Sequence, residues 1–192
     1  AVQYDPNYGE AFLERAAYLL AQGEIEQALE DLAVVANLLP DSPMLYLYQA
    51  EIHLVQGENN QALVAARRAH KLDLTLLPAY LTLGEAAMLN EDIDTALEVL
   101  QTYQEYIPEE PLSWLYLGKL YFIQGEDYEA ALDALSQAIE LNDELPEVYL
   151  YRGFTYLVLE EGQKAVNDLL LARRLDPTSF RINIALGQAL IA

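Results

Sequence analysis

The stretch that most constrains the fold lies just past the middle of the chain, where Trp114, Leu117, Gly118 and Tyr121 stand at the spacing W-x2-L-G-x2-Y. Weaker copies of this stretch recur in both directions at a period of about 34 residues. A fixed period of this kind is typical of repeat proteins, in which each unit packs mainly on its neighbours. The 192 residues are therefore expected to form a repeat array.

The residue types within each copy predict a hairpin of two packed helices. The aromatic, leucine, small and second aromatic positions fall at i, i+3, i+4 and i+7, which is one face of an α-helix. Small residues recur at position i+4 of that face and once in the following helix. At both places they allow two helix axes to approach closely. They are Ala16, Ala50, Gly84, Gly118 and Gly153 in the first helices, and Ala28, Ala62, Ala96, Ala131 and Ala165 in the second.

This pattern resembles the tetratricopeptide repeat family over essentially the whole chain. The resemblance implies an all-α fold, a right-handed α-solenoid or superhelix of stacked antiparallel helix hairpins. Residues 1–8 are interpreted as the end of a preceding repeat, closed at Asp5-Pro6, and residues 180–192 as the final helix of a partial repeat. The five full repeats are predicted at 9–42, 43–76, 77–110, 111–145 and 146–179. Glu91 departs from the pattern because it stands where glycine usually turns the chain.

The last helix is mostly apolar, although repeat arrays normally end with a polar capping helix. We therefore expect either that the chain is a piece of a longer array or that the exposed end finds a partner. The second possibility gives an alternative function, a self-assembly module that forms homo-oligomers through its terminal helices. A further alternative is the regulatory arm of a larger enzyme.

The charge of the chain excludes several classes of ligand. A net charge of -21 argues against binding to nucleic acid or to an anionic membrane, which both require a dense positive face. The acids are unevenly spread, since residues 1–150 have a net charge of -22 and residues 151–192 of +1. We find neither an apolar run long enough to span a membrane nor a secretion signal, and a cytoplasmic location is the expectation.

The family resemblance implies that ligands lie along the concave face formed by the first helices. When the packing aromatic of each first helix is counted as step four, that face carries a stripe of steps two, five, six, nine, twelve and thirteen. Tyr and Phe offer large contact area with little rotamer entropy to lose, so they are plausible anchors for a peptide. The candidate ligand residues are Leu47, Tyr48, Glu51, Leu81, Glu85, Leu115, Tyr116, Lys119, Phe122, Leu150, Tyr151 and Phe154.

Structural roles for these candidates are weighed beside ligand contact. For the leucines of this set, Leu47, Leu81, Leu115 and Leu150, packing between neighbouring first helices is the favoured interpretation. For the tyrosines, packing and ligand contact are weighed equally. Glu51 and Glu85 are as compatible with a solvated face as with contact to a basic ligand residue. Lys119 is compatible with an ion pair to one of these two glutamates. The lysine, arginine and asparagine clamp of chaperone-binding relatives is absent, because Arg15, the one cation of the first three first helices, falls on the packing side.

No other chemistry is predicted. The sequence contains no cysteine, and we find neither a metal-ligand cluster, a phosphate-binding loop nor a nucleophile–base arrangement, so no metal, cofactor or catalytic residue is expected. The basic groups Arg67-Arg68-His70-Lys71 and Arg173-Arg174 are interpreted as complementing helix dipoles. The sequence thus predicts a noncatalytic scaffold for a protein or peptide partner, whose bound segment is apolar or mixed apolar and basic.

Overall fold

The computed structural model describes residues 8–191, which contain eleven α-helices and no β-strand. The helices are α1 (Gly9–Ala21), α2 (Ile25–Leu38), α3 (Pro43–Gln56), α4 (Asn59–Leu72), α5 (Leu77–Leu89), α6 (Ile93–Tyr106), α7 (Pro111–Gln124), α8 (Tyr128–Leu141), α9 (Pro146–Val158), α10 (Gly162–Leu175) and α11 (Phe180–Ala189). The predicted helix end at Asp5-Pro6 lies outside the described residues. None of the described helices is both long and apolar enough to cross a membrane.

Successive helices pair as hairpins, and the odd-numbered helix of each hairpin is its first helix. Three of these first helices begin with proline, at Pro43, Pro111 and Pro146. Proline suits this position because its fixed φ matches the helix and its missing N–H would have no intrahelical partner there. The all-α fold of stacked helix hairpins, as in tetratricopeptide solenoids, is confirmed.

The chain forms two compact units, whose boundary falls within α6 between Val99 and Leu100. In unit 1, Phe12, Leu32 and Val35 of the first hairpin pack with Leu45 and Ile52 of α3. In unit 2, one apolar cluster joins α7 and α8 to α9, and a second joins α9 and α10 to α11. Each unit is thus held together by apolar contacts between successive hairpins.

A recurring hydrogen bond fixes the entrance to the first helices. The fourth residue of the helix donates from its side chain to the backbone carbonyl six residues earlier, in the preceding loop. An aromatic side chain with a polar tip can fill the core and make this bond at once. The pairs are Tyr46 with Pro40, Tyr80 with Leu74, Trp114 with Pro108, Tyr149 with Asp143 and, by an amide, Asn183 with Pro177.

The turns inside the hairpins adopt a left-handed backbone conformation. Gly23, Gly57 and Gly125 have φ values of 76°, 73° and 70°. Glu91 and Glu160 occupy the matching turns with φ of 60°. A side chain with a Cβ is strained there by about 1–2 kcal/mol. The expectation that Glu91 replaces the usual turn glycine is therefore confirmed, and Glu160 is a second such case.

The small residues of the first helices serve close packing in unit 2. A Cβ added at Gly118 would lie 2.5 Å from Leu135 Cγ, and one at Gly153 would lie 2.8 Å from Leu169 Cγ. Both distances are shorter than ordinary van der Waals contact. The two helices of each hairpin therefore approach closely at these glycines, as the repeat pattern predicts.

The first and fifth hairpins each contain an arginine–aspartate pair. Arg15 Nε donates to Asp31 Oδ2 at 2.6 Å, and Arg152 makes bonds of 2.7 and 2.9 Å to the two oxygens of Asp168. The side chains of Asp31 and Asp168 are 4% and 7% exposed. The predicted packing role of Arg15 thus has a physical basis, because its guanidinium neutralises a buried carboxylate.

Candidate functional site

Three aromatic side chains of the predicted stripe meet in unit 2. The rings of Phe122 on α7 and Phe154 on α9 are stacked, with centroids 6.0 Å apart and an interplanar angle of 22°. Tyr151 lies one turn before Phe154 on α9 and meets both rings edge-on at 6.0 Å. Stacked and edge-to-face pairs at this distance are the favoured geometries of aromatic rings.

A buried lysine borders these rings. Lys119 is 8% exposed and its Nζ donates to Glu147 Oε1 at 2.9 Å. The same ammonium lies 5.4 Å from the Tyr116 ring centroid and 5.1 Å from that of Tyr151, within range of a cation–π interaction. Within unit 2, the carboxylate that reaches Lys119 stands on the next first helix, α9, and the pairing of Lys119 with Glu51 or Glu85 stays a prediction.

An arginine on α11 completes the arrangement. Arg181 Nη2 donates to the Tyr151 hydroxyl at 2.8 Å. Its Cζ lies 4.9 Å from the Tyr151 ring centroid and 5.8 Å from that of Phe154. The guanidinium is thus held against the aromatic rings by a hydrogen bond and by two cation–π contacts. We name Tyr116, Lys119, Phe122, Glu147, Tyr151, Phe154 and Arg181 the first-helix cluster.

Sequence analysis missed two members of the first-helix cluster, Glu147 and Arg181. Both are the second residue of their helices, and the second step belongs to the predicted stripe. The stripe was thus defined broadly enough to include them. Their partners lie 28 and 30 residues away, one hairpin earlier in the chain.

The aliphatic row is largely buried. Leu47, Leu115 and Leu150 are 1–3% exposed, and Leu81 is partly buried. Leu115 belongs to the apolar cluster with Leu135 and Val148. Leu150 likewise belongs to the cluster that joins α9 and α10 to α11. Leu47, Leu115 and Leu150 thus serve packing between helices, which is the alternative that the sequence favours.

The stripe has an acidic character on α3 of unit 1. Tyr48 and Glu51 are both partly buried. Burial raises the pKa of the Glu51 carboxyl, and burial together with the nearby Glu51 charge raises the pKa of the Tyr48 hydroxyl. Glu51 also borders a cavity of about 210 Å³ together with Leu20 and Val55. An ionised Glu51 therefore lies in a poorly hydrated position. Glu85, on α5, is partly buried as well.

Sequence and structure comparisons place the chain among known repeats. Residues 118–159, which contain much of the first-helix cluster, match a family model described as TPR repeat. A search of curated proteins by sequence finds no match. Among solved structures, the APC/C hetero-tetramer Cut9-Hcn1 has a TM-score of 0.86 at 23% identity, over 98% of this chain and 38% of that one.

Two smaller structures are similar over nearly their whole lengths. A thermophilic TPR protein of Thermus thermophilus, TTC0263, has a TM-score of 0.74 at 22% identity, over 96% of this chain and 100% of that one. YrrB, described as a TPR protein with an unusual peptide-binding site, has a TM-score of 0.72 at 18% identity, over 96% of this chain and 94% of that one. At these identities the similarity shows a shared fold.

Proposed function

Since the chain is a tetratricopeptide repeat protein, we propose that it is a noncatalytic interaction scaffold that binds a peptide segment of another protein along its first helices. The observation that carries the proposal is the first-helix cluster of unit 2. Its partly buried rings, Tyr116, Phe122 and Phe154, are held by neighbours and lose little entropy when a ligand packs on them. The peptide-binding site named for YrrB supports the same class of function.

The proposed ligand is apolar, or apolar with basic residues. An aliphatic or aromatic ligand side chain would pack on Phe122 and Phe154, as aromatic anchors do at protein interfaces. A basic ligand residue would pair with Glu51 in unit 1, where burial disfavours the isolated carboxylate. A cation at this position would favour the ionised carboxylate and lower the pKa of Glu51.

The proposal is tested by selecting peptides from a displayed library on the whole chain and measuring their affinity for variants. Phe154→Ala removes one ring of the stack and should weaken a selected peptide about tenfold or more. Phe180→Ala is the matched control, because Phe180 is 79% exposed and stands outside the first-helix cluster. Unchanged affinity in Phe154→Ala, or equal losses in both variants, would refute the proposed site.

A specific observation also supports self-association as a second candidate function. On α11, Phe180 and Ile184 are 79% and 45% exposed, and Ile191 after the helix is 87% exposed. A second copy could cover this apolar surface by a heterologous contact. We expect the mass measured by light scattering to rise with concentration, and Ile184→Glu to abolish the rise. A constant monomer mass would eliminate this candidate.

A further inference from the structure

A cavity of about 520 Å³ opens between α3 and α4 in unit 1. It is lined mainly by Tyr46, Gln49 and His53 of α3 and by Val64, Ala65 and Arg68 of α4. The α3 residues follow one another at intervals of three and four, so they share one helix face. That face differs from the one that carries Tyr48 and Glu51. The cavity is therefore separate from the first-helix stripe.

Comparison with the other hairpins explains why the cavity exists. In the first and fifth hairpins, the positions of Gln49 and Ala65 are occupied by the arginine–aspartate pairs Arg15–Asp31 and Arg152–Asp168. In the third hairpin they are occupied by Leu83 and Val99, which are 2% and 5% exposed. The fourth hairpin has Leu117 and Ala134 there, both 2% exposed. The second hairpin is the one that combines a neutral amide with a single methyl group, and both side chains line the open space between its helices.

The walls of the cavity favour a neutral occupant. Arg68, at the cavity wall, is paired with Asp41 at 2.9 Å and lies 5.6 Å from the Tyr46 ring centroid. His53 is likewise paired with Glu58 through a 2.6 Å contact of its Nδ1. The charged groups near the cavity thus already have partners. The remaining walls are neutral: the Tyr46 ring, the apolar side chains of Val64 and Ala65, and the amides of Gln49, Asn60 and Gln61.

The related hairpins also indicate the shape of the occupant. Arg15 Cζ lies 5.4 Å from the Phe12 ring centroid, and Arg152 Cζ lies 5.9 Å from that of Tyr149. Phe12 and Tyr149 hold the place in their hairpins that Tyr46 holds in the second. The hairpin geometry therefore accommodates a flat group against this ring. The volume is at the scale of known ligand pockets, about 300–1,000 Å³, and is ample for one large side chain.

We propose that this cavity is a second binding site, which takes an aromatic side chain, tryptophan or tyrosine, from a partner protein. The ring packs against Tyr46, Val64 and Ala65, and its polar edge faces the Gln49 amide. Such a ring buries large apolar area and also satisfies a hydrogen-bonding group at the cavity mouth. The site belongs to unit 1 and does not depend on the first-helix cluster of unit 2.

The test uses N-acetyl-L-tryptophanamide as the probe and the whole chain labelled at its alanine and valine methyl groups. The probe should cause saturable NMR shifts at the methyls of Ala65 and Val64. Its affinity should exceed that of N-acetyl-L-leucinamide about two- to tenfold, the range expected for an aromatic pair. Absence of saturable shifts at both residues, or equal affinities of the two probes, would overturn the proposal.

Two filled variants copy pairs that the chain already contains. Gln49→Arg with Ala65→Asp reproduces the first and fifth hairpins, and Gln49→Leu with Ala65→Val reproduces the third. Each variant should remove binding of the probe. If one of them fails to fold, the other still tests the proposal. Phe154→Ala is the control and should bind the probe unchanged, which separates this site from the first-helix cluster. Persistent binding in a folded filled variant would also overturn the proposal.

Discussion

Removing the cation of the Arg152–Asp168 pair should destabilise unit 2. The Asp168 side chain is 7% exposed and accepts two hydrogen bonds from Arg152, whose side chain is 19% exposed. Arg152→Leu supplies apolar volume but leaves a buried carboxylate without its partner. A broken buried pair costs about 3–5 kcal/mol. Because leucine recovers some apolar burial, we expect a loss near the lower end, about 3 kcal/mol.

A double variant separates the worth of the pair from the cost of breaking it. Arg152→Leu with Asp168→Val installs the residues that the third hairpin has at the same positions, Leu83 and Val99. Replacing a buried ion pair by well-packed apolar residues is often neutral or stabilising by about 1–4 kcal/mol. The double variant should therefore recover most or all of the stability that the single variant loses.

The assay is urea denaturation followed by far-ultraviolet circular dichroism, with hydrogen exchange of the α9 and α10 amides to localise the loss. Unchanged stability of the single variant, or a double variant less stable than the single, would refute the reasoning.

Three further substitutions test local features of the fold. Gly118→Ala places a Cβ 2.5 Å from Leu135 Cγ and should lower the free energy of unfolding, measured by denaturation, by about 1–3 kcal/mol. Gly187→Ala is the control and should be neutral or stabilising, because a Cβ there has no neighbour within 4 Å. Equal effects of the two substitutions would contradict the packing argument. Glu160→Gly relieves the strain of a φ of 60°, so it should raise the free energy of unfolding by about 0.5–1 kcal/mol and therefore also raise Tm. A lower Tm would show that the turn is unstrained. Glu51→Gln should stabilise the chain at neutral pH, because burial raises the pKa of Glu51 in the folded state. The cost of ionising the buried carboxyl is present above the folded pKa and vanishes below the unfolded pKa, so the benefit of the substitution should disappear in acid. A benefit independent of pH would exclude ionisation as its cause.

The repeat pattern predicts the backbone of this chain well, because it records contacts within a hairpin. The aromatic and small positions of α7, for example, fix which face meets α8, and Gly118 lies against Leu135 accordingly. The left-handed turn at Glu91 also follows from its place in the repeat. Such features depend on residues close in sequence, whose spacing alone indicates their neighbours.

Contacts between hairpins are harder to predict, because they depend on how far one hairpin is turned against the next. Glu147 and Arg181 reach back to Lys119 and Tyr151, and no local spacing indicates those distances. The cavity beside Ala65 is harder still, since it depends on which pair of side chains stands at the equivalent positions of each hairpin. Only comparison of equivalent positions across hairpins makes it visible.

The central claim, that the first-helix cluster is the ligand site, is tested most directly by NMR of the whole chain bound to a library-selected peptide. The account predicts intermolecular NOEs from an apolar side chain of the peptide to the rings of Phe122 and Phe154. NOEs confined to other surfaces, with these two rings unperturbed, would contradict it.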